Sequence, residues 1–332
     1  MDQLRNKTFI SFGDVLDVCQ KIKTDGWSFL VQKFPLAGIE RTRATWKHTE
    51  SVPIHWQDIP AVRERRNFLI TGMKNVEFPE YVYRKYLKGK KNLKALSPGC
   101  GTGSIEIQLA QYPCFSSMEA FDLSKSRILN AIQTAEKRKI ENLNFHVQDI
   151  DQFDFGVSRY DLILFNGFLH HVRDIEKMLI KVRESLMPDG MLVIHEYVGP
   201  NRFQWPHGQV EAVQELLDRI PLDYRKLWKS NRIKRRQYRP GLIRMILSDP
   251  SEAAESENIL LLLKRYFKSI EIKKLGGNLL HPLFKDIAHH FIDPDGESKR
   301  ILEMVFEKEN IYLEGNRSDF IFGVFEKNEK SN

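Results

Sequence analysis

Three glycines alternate with single residues in "SPGCGTGSIEI": Gly99, Gly101 and Gly103, set between an apolar run and a helical pattern. Backbone free of side chains can pass close to a ligand, and the N–H groups at a helix start face it. The chemistry this permits is capture of an anion or a nucleotide. Asp122, 19 residues beyond Gly103, can accept hydrogen bonds from both hydroxyls of a ribose, or cap the helix that opens at "LSKS". Asp149, in "VQDI", stands where an adenine amino group can be met, and "FNGFLHH" adds Asn166, Gly167, His170 and His171. "MLVIHEY" ends on His195, Glu196 and Tyr197, groups able to accept or hold a proton.

These residues need elements that bring them to one edge. "NLKALS", "FSSMEAFD", "LNFHVQD", the nearly continuous apolar "YDLILFN", and "MLVIHEY" after a "PDG" turn read as five strands. Helical patterns alternate with them: "GSIEIQLAQ", Ser124 to Arg138 with Ser124 as N-cap, and "DIEKMLIKVRESL". Strands alternating with helices predict βαβ units and a mostly parallel, doubly wound sheet. Further on, "SEAAESENILLLLKRYF" predicts a helix, "SIEIKKLG" a sixth strand and "DFIFGVFE" a seventh, which lacks a crossover and is expected to run antiparallel. In the N-terminal part, "IPAVRERRNFLITG" and "FPEYVYRKYL" predict helices. The expected organisation is a helical N-terminal cap over 1–92 and an α/β domain over 93–327, with helical insertions at about 198–250 and 277–317. In such a sheet, ligands bind at the carboxyl ends of the strands beside the switch point, where both the glycine loop and "FNGFLHH" fall.

With 332 residues, 42% hydrophobic and 29% charged, the composition is that of a globular protein. The longest apolar run, from Ile259, is far too short to span a bilayer, and "MDQLRNKTFI" has no signal-peptide pattern. Three cysteines, Cys19, Cys100 and Cys114, have no metal-ligand spacing, so a reducing, cytoplasmic setting without a metal is expected. A net charge of +7 suits an anionic substrate, a membrane surface or nucleic acid without selecting one.

The glycine spacing is G-x-G-x-G, whereas a dinucleotide fold wants G-x-G-x-x-G/A and Ser104 holds the last position. Taken in order, "ALSPGCGTGS", "AFDLS", "VQDI", "YDLILFNGFLHHV" and "LMPDGMLVIHEY" resemble the successive motifs of class I S-adenosylmethionine-dependent methyltransferases, over roughly Leu93 to Tyr197. "HWQDIPAVRERR", "EYVGPNRFQW", "DPSEA" and "GGNLLH" are similar to segments of a bacterial subgroup of these enzymes. The resemblance implies a seven-stranded Rossmann-like sheet and S-adenosylmethionine as cofactor. It implies Gly99, Cys100, Gly101 and Gly103 around the methionine end, Asp122 with Leu123 at the ribose, Asp149 and Ile150 at the adenine, and Asn166 and Gly167 near the methyl. One position departs: the family commonly has Asp or Glu two residues before the first glycine, where this chain has Ser97.

A sulfonium is an activated methyl donor, so the protein must mainly align the reacting atoms and exclude water. A hydroxyl acceptor must lose a proton, for which His195, Glu196 and His170 are the candidates, each with a structural role as the alternative. Strand alternation puts His195 and Tyr197 on one face and Glu196 on the other. Arg202 can pair with an anionic substrate group, Trp205 can wall the pocket, and His281 can fold over it beside Gly276 and Gly277. "NGFL" stands where methyltransferases of planar exocyclic amines carry an Asn-Pro-Pro-Tyr-like tetrapeptide, which favours oxygen in a small-molecule or glycan-type acceptor. Tyr224 to Pro240 holds eight Lys or Arg with interleaved aromatics. This run, 225–239, leaves RNA as an alternative acceptor and a solvated face as another reading. A cofactor- or partner-binding protein without turnover is the remaining alternative.

Overall fold

The computed structural model describes residues 7–15 and 54–327. Cys19 and much of the expected N-terminal cap lie outside the described residues. The chain divides into two compact units. A sheet unit comprises Arg66–Val198, Glu255–Leu275 and the chain from Phe320; the other comprises the residues up to Arg65, Gly199–Ala254 and Gly276–Asp319.

The sheet has seven strands: β1 (Leu93–Pro98), β2 (Phe115–Asp122), β3 (Leu143–Val147), β4 (Tyr160–Asn166), β5 (Leu186–Tyr197), β6 (Phe267–Gly276) and β7 (Phe320–Lys327). Their order is β3-β2-β1-β4-β5-β7-β6. The pairs β1/β2, β2/β3, β1/β4 and β4/β5 are parallel, and β7 runs antiparallel to β5. The chain leaves β1 toward β2 and β3, then returns to place β4 on the other flank of β1. That reversal is the switch point, and the loops after β1 and β4 both open on it.

Alternation along the strands explains two separate cores. Ala95, Leu162, Leu164, Met191 and Val193 enter one, with Ile70, Phe78, Val82 and Leu87 from the residues before β1. Leu96, Ile163, Phe165, Leu192 and Ile194 enter the other, with Leu179, Val182, Ile259 and Leu263. A strand buried on both faces carries no polar alternation, which is why "YDLILFN" reads as a continuous apolar run. Each fully buried aliphatic side chain contributes about 1.5–3 kcal/mol, so residues 66–92 are anchored by their own apolar stripe.

Several elements differ in detail from the sequence pattern. The "PDG" segment is absorbed into β5, where pairing jumps from Tyr160–Leu186 to Leu162–Met191 and leaves Met187 to Asp189 exposed. The helix expected from Ser251 begins only at Ser256 and ends at Tyr266. Asp249 accepts hydrogen bonds from the backbone and hydroxyl of Ser251, and Ala253 is left-handed at φ 48°, so this stretch is a turn. Ser124 is the N-cap of the helix Lys125–Lys137, but its hydroxyl meets Ser126 rather than a backbone N–H.

In the second unit a buried carboxylate organises a loop. Glu309, on the helix Gly296–Gly315, accepts the N–H groups of Gly277, Asn278 and Leu279. A Cβ on Gly276 would lie 2.3 Å from Oε1 of Glu309, so the glycine is required by that approach. Gln209 ties the same loop to Asp319, donating to the Asn278 carbonyl and the Asp319 carboxylate. Burial pushes the Asp319 carboxyl up to about 7, with Glu309 adding to the effect.

Candidate active site

The glycine loop joins β1 to α1 (Ser104–Ala110). Gly99, Gly101 and Gly103 all have positive φ, 68°, 58° and 71°. Their surroundings differ. A Cβ on Gly99 would lie 2.0 Å from the ring of Phe168, and one on Gly103 would lie 2.4 Å from the ring of Phe145. One on Gly101 would meet only Arg127 Nη1 at 3.8 Å, an ordinary contact, among the described residues. Two of the glycines are thus demanded by packing within the protein. Gly101 alone of the three presents an open face.

Asp122 closes β2 beside that face. One carboxylate oxygen accepts the Gly101 N–H at 3.0 Å and the other the Ser124 N–H at 2.8 Å. A carboxylate has about four lone-pair sites, so two remain to meet hydroxyl groups. The same residue therefore pins the loop to the start of the next helix and keeps acceptor capacity. Leu123 follows it, half-buried. Asp149 caps the short turn Ile150–Gln152 through the Asp151 N–H, and Ile150 packs on the second core. The Cys100 thiol is pushed well above its ordinary value by burial, with Glu106 and Asp122 adding, so it stays protonated.

Asn166 ends β4 opposite His195 on β5. His195 Nδ1 lies 2.9 Å from Asn166 Oδ1, and its ring stacks on Phe78 at 5.6 Å. Burial, assisted by the Arg66 charge, lowers the His195 imidazole to about 3. It is neutral at physiological pH, with Nδ1–H donating to Oδ1 and Nε2 buried without a partner among the described residues. Gly167, at φ 63°, donates its N–H to the His195 carbonyl and has nothing around its own Cβ position within 4 Å.

Glu196 points to the other face. Its buried carboxylate accepts the N–H groups of Phe168 and Leu169, at 2.9 and 2.7 Å, and that of Tyr197 at 2.8 Å. It also pairs with His170 Nδ1. One carboxylate thus fixes the turn after β4 and orients the His170 ring through Nδ1. His170, the first of the histidine pair after β4, is thus tied to β5.

Ser97, the departure from the family pattern, is buried and donates its hydroxyl to Glu106 Oε1 at 2.6 Å. Burial pushes the Glu106 carboxyl up to about 7, with Asp122 contributing. Sequence reading passed over Glu106 because an acid in the first turn of a helix is common there for the helix dipole alone. Its distance from Ser97 along the chain hides the pairing. Phe168 and Phe78 were equally silent, being apolar residues in apolar surroundings.

The remaining candidates belong to the second unit. Arg202, left-handed at φ 55°, donates to the carbonyls of Asp249, Pro250 and Glu252. Its guanidinium is committed to holding that turn. Trp205 is buried, stacks on Phe203 at 5.7 Å and meets His281 edge-on at 5.6 Å. His281 also stacks on Trp56 at 5.8 Å, so Trp205 and His281 do come together, in an aromatic cluster. In the basic run, Lys234 Nζ donates to the carbonyls of Pro282, Leu283 and Lys285, and Arg225 to those of Ile220 and Asp218. Lys226 pairs with Asp223.

A family described as "Methyltransferase domain" matches residues 89–258, just over half of the chain. Malonyl-[acyl-carrier protein] O-methyltransferase of Bacillus cereus is 29% identical over 124 residues, 37% of this chain and 44% of that protein. Carboxy-S-adenosyl-L-methionine synthase of Campylobacter fetus is 26% identical over 54% of this chain and 71% of its own length. The chain spans less than half the length of the malonyl-[acyl-carrier protein] relatives it matches. Phosphoethanolamine N-methyltransferase 2 of Haemonchus contortus, solved with S-adenosyl-L-methionine, shares the fold with a TM-score of 0.51 at 16% identity, over 89% of this chain and 61% of that one. Among the described residues, no helix is long and apolar enough to cross a membrane.

Proposed function

The chain belongs to the methyltransferase-domain family, with the class I, S-adenosylmethionine-dependent fold, and we propose that it methylates an oxygen of a small-molecule or glycan-type acceptor. The observation that carries the reading is the open face of Gly101 beside the Asp122 carboxylate at the switch point of the sheet. The residues fit the cofactor: Gly101 presents an open main-chain face among the described residues, and Asp122 keeps lone pairs for ribose hydroxyls.

In this reading Gly99, Cys100, Gly101 and Gly103 surround the methionine moiety, and Asp122 and Leu123 hold the ribose. Asp149 and Ile150 meet the adenine, and Asn166 and Gly167 border the methyl. S-adenosylmethionine, when bound, supplies an activated methyl on a sulfonium. His195 orients the Asn166 amide through Nδ1; at about 3 it is too weak a base to take a proton itself. The base is His170, held by Glu196, which receives the acceptor's proton as the oxygen attacks. Positioning of this kind is the main contribution asked of the protein.

The preference for oxygen rests on "NGFL" after β4 and on an O-methyltransferase among the relatives. The test is incorporation of labelled methyl from S-adenosylmethionine into fractionated cell extract. Label in low-molecular-mass, base-labile or ether-linked products is expected; label confined to RNA would overturn the acceptor class.

A further inference from the structure

Among the described residues, no cation pairs with Glu106. It is 1% exposed, in the first turn of α1, directly behind the glycine loop. Its hydrogen-bond partners are the Ser97 hydroxyl and its own backbone N–H, and the nearest charged group acting on it is another acid, Asp122. The groups that face this corner are Ser97 from β1, the Cys100 thiol from the loop, Asp122 from β2 and Arg127 from the helix Lys125–Lys137. The influence of Arg127 falls on Asp122 and Cys100, not on Glu106. A buried carboxyl beside a like charge is costly unless a cation completes it.

We propose that Glu106, seated on Ser97, is the anionic partner of the α-ammonium of the cofactor's amino-acid moiety, a role the chain has moved from β1 to the first turn of α1. This rests on the cofactor reading above. Ser97 holds the strand position that the resemblance assigns to an acid, and the 2.6 Å bond joins that position to Glu106. The two side-chain types are exchanged between strand and helix, and a carboxylate remains in the corner. Burial raises the Glu106 carboxyl to about 7, and a cation beside it would favour the charged form.

The test compares two ligands by calorimetry. S-Adenosylhomocysteine carries the ammonium; 5′-methylthioadenosine keeps the adenosine and thioether but lacks it. Glu106→Gln is expected to weaken S-adenosylhomocysteine about tenfold or more, as for loss of one charge-assisted hydrogen bond, while 5′-methylthioadenosine changes less than about twofold. Wild-type affinity for S-adenosylhomocysteine should rise with pH through about 7, and this rise should vanish in Glu106→Gln. The double exchange Ser97→Glu with Glu106→Ser should restore binding. Equal loss for both ligands would make Glu106 merely structural, and unchanged S-adenosylhomocysteine affinity in Glu106→Gln would also overturn the assignment. Wild-type protein that binds 5′-methylthioadenosine but shows no preference for S-adenosylhomocysteine would refute the ammonium role alone. Failure to bind either would refute the cofactor reading beneath it.

Discussion

Phe168 lies across Gly99 so closely that a Cβ there would sit 2.0 Å from its ring. The loop after β4 thus rests on the loop after β1, and the first glycine exists to admit an aromatic ring of the same chain. Gly101, the next glycine, has no such neighbour among the described residues. The two positions should therefore fail differently.

Gly99→Ala must displace Phe168, and its φ of 68° adds strain, so a loss of about 2–4 kcal/mol is expected in denaturant unfolding. Gly101→Val should cost only the left-handed strain, about 1–2 kcal/mol, yet abolish cofactor binding by filling the open face. Comparing unfolding midpoints with calorimetric titrations separates the two effects. Cofactor binding retained in Gly101→Val would mean that the ligand does not pass there.

Asp122 has two tasks, and the variants can be chosen to divide them. Asp122→Ala removes the acceptors of Gly101 and Ser124 as well as any ribose contact, so it should lower stability by about 1–3 kcal/mol besides weakening the cofactor. Asp122→Asn keeps one carbonyl oxygen, should fold nearly normally, and should still bind the cofactor about tenfold or more weakly. Equal affinity in Asp122→Asn and wild type would remove the ribose assignment.

His170→Gln should reduce kcat about 10²- to 10⁴-fold with little change in cofactor affinity. Glu196→Gln should lower kcat too, and should in addition loosen the turn at Phe168 and Leu169, visible as faster amide exchange there. A His170→Gln enzyme with normal kcat would return that pair to a structural role.

The buried histidine and the buried carboxyls act on stability in opposite directions. His195 is lowered to about 3, so the unfolded chain binds more protons between about pH 3 and 6.5. Its contribution is complete above 6.5 and is lost as pH falls through that window. Glu106 and Asp319 are each raised to about 7, so their contributions are complete below the ordinary carboxylate range and are lost as pH rises toward 7. Relative to wild type, Glu106→Gln should therefore gain stability from pH 5 to 8, by at most about 1.4 kcal/mol per unit within the window. His195→Phe should lose less stability than wild type on acidification from pH 6.5 to 4. Parallel curves for wild type and variant would contradict these assignments.

The sheet was legible because its signals are local. Strand period, helix period and the glycine turns each occupy a dozen residues, and "YDLILFN" forms β4 over Tyr160–Asn166 as read. Antiparallel β7 followed from the missing crossover. The two loops that open on the switch point were legible for the same reason, since they follow β1 and β4. The helix start near residue 256 was not, because Ser, Glu and Ala between 251 and 255 are compatible with a helix and only the Asp249 turn breaks it. Glu106–Ser97 and Glu196–His170 pair residues 9 and 26 positions apart across different elements. No periodicity announces such pairs. In the basic run, charge counts do not reveal that Lys234 caps the carbonyls of Pro282, Leu283 and Lys285.

The central claim is that the open main-chain cradle at Gly101, flanked by Asp122, holds S-adenosylmethionine. Calorimetric titration of the purified protein with S-adenosylhomocysteine tests it most directly. One ligand per chain in wild type, lost in Gly101→Val and weakened in Asp122→Asn, is the predicted result; no heat of binding in wild type, or an unchanged dissociation constant in both variants, would contradict it.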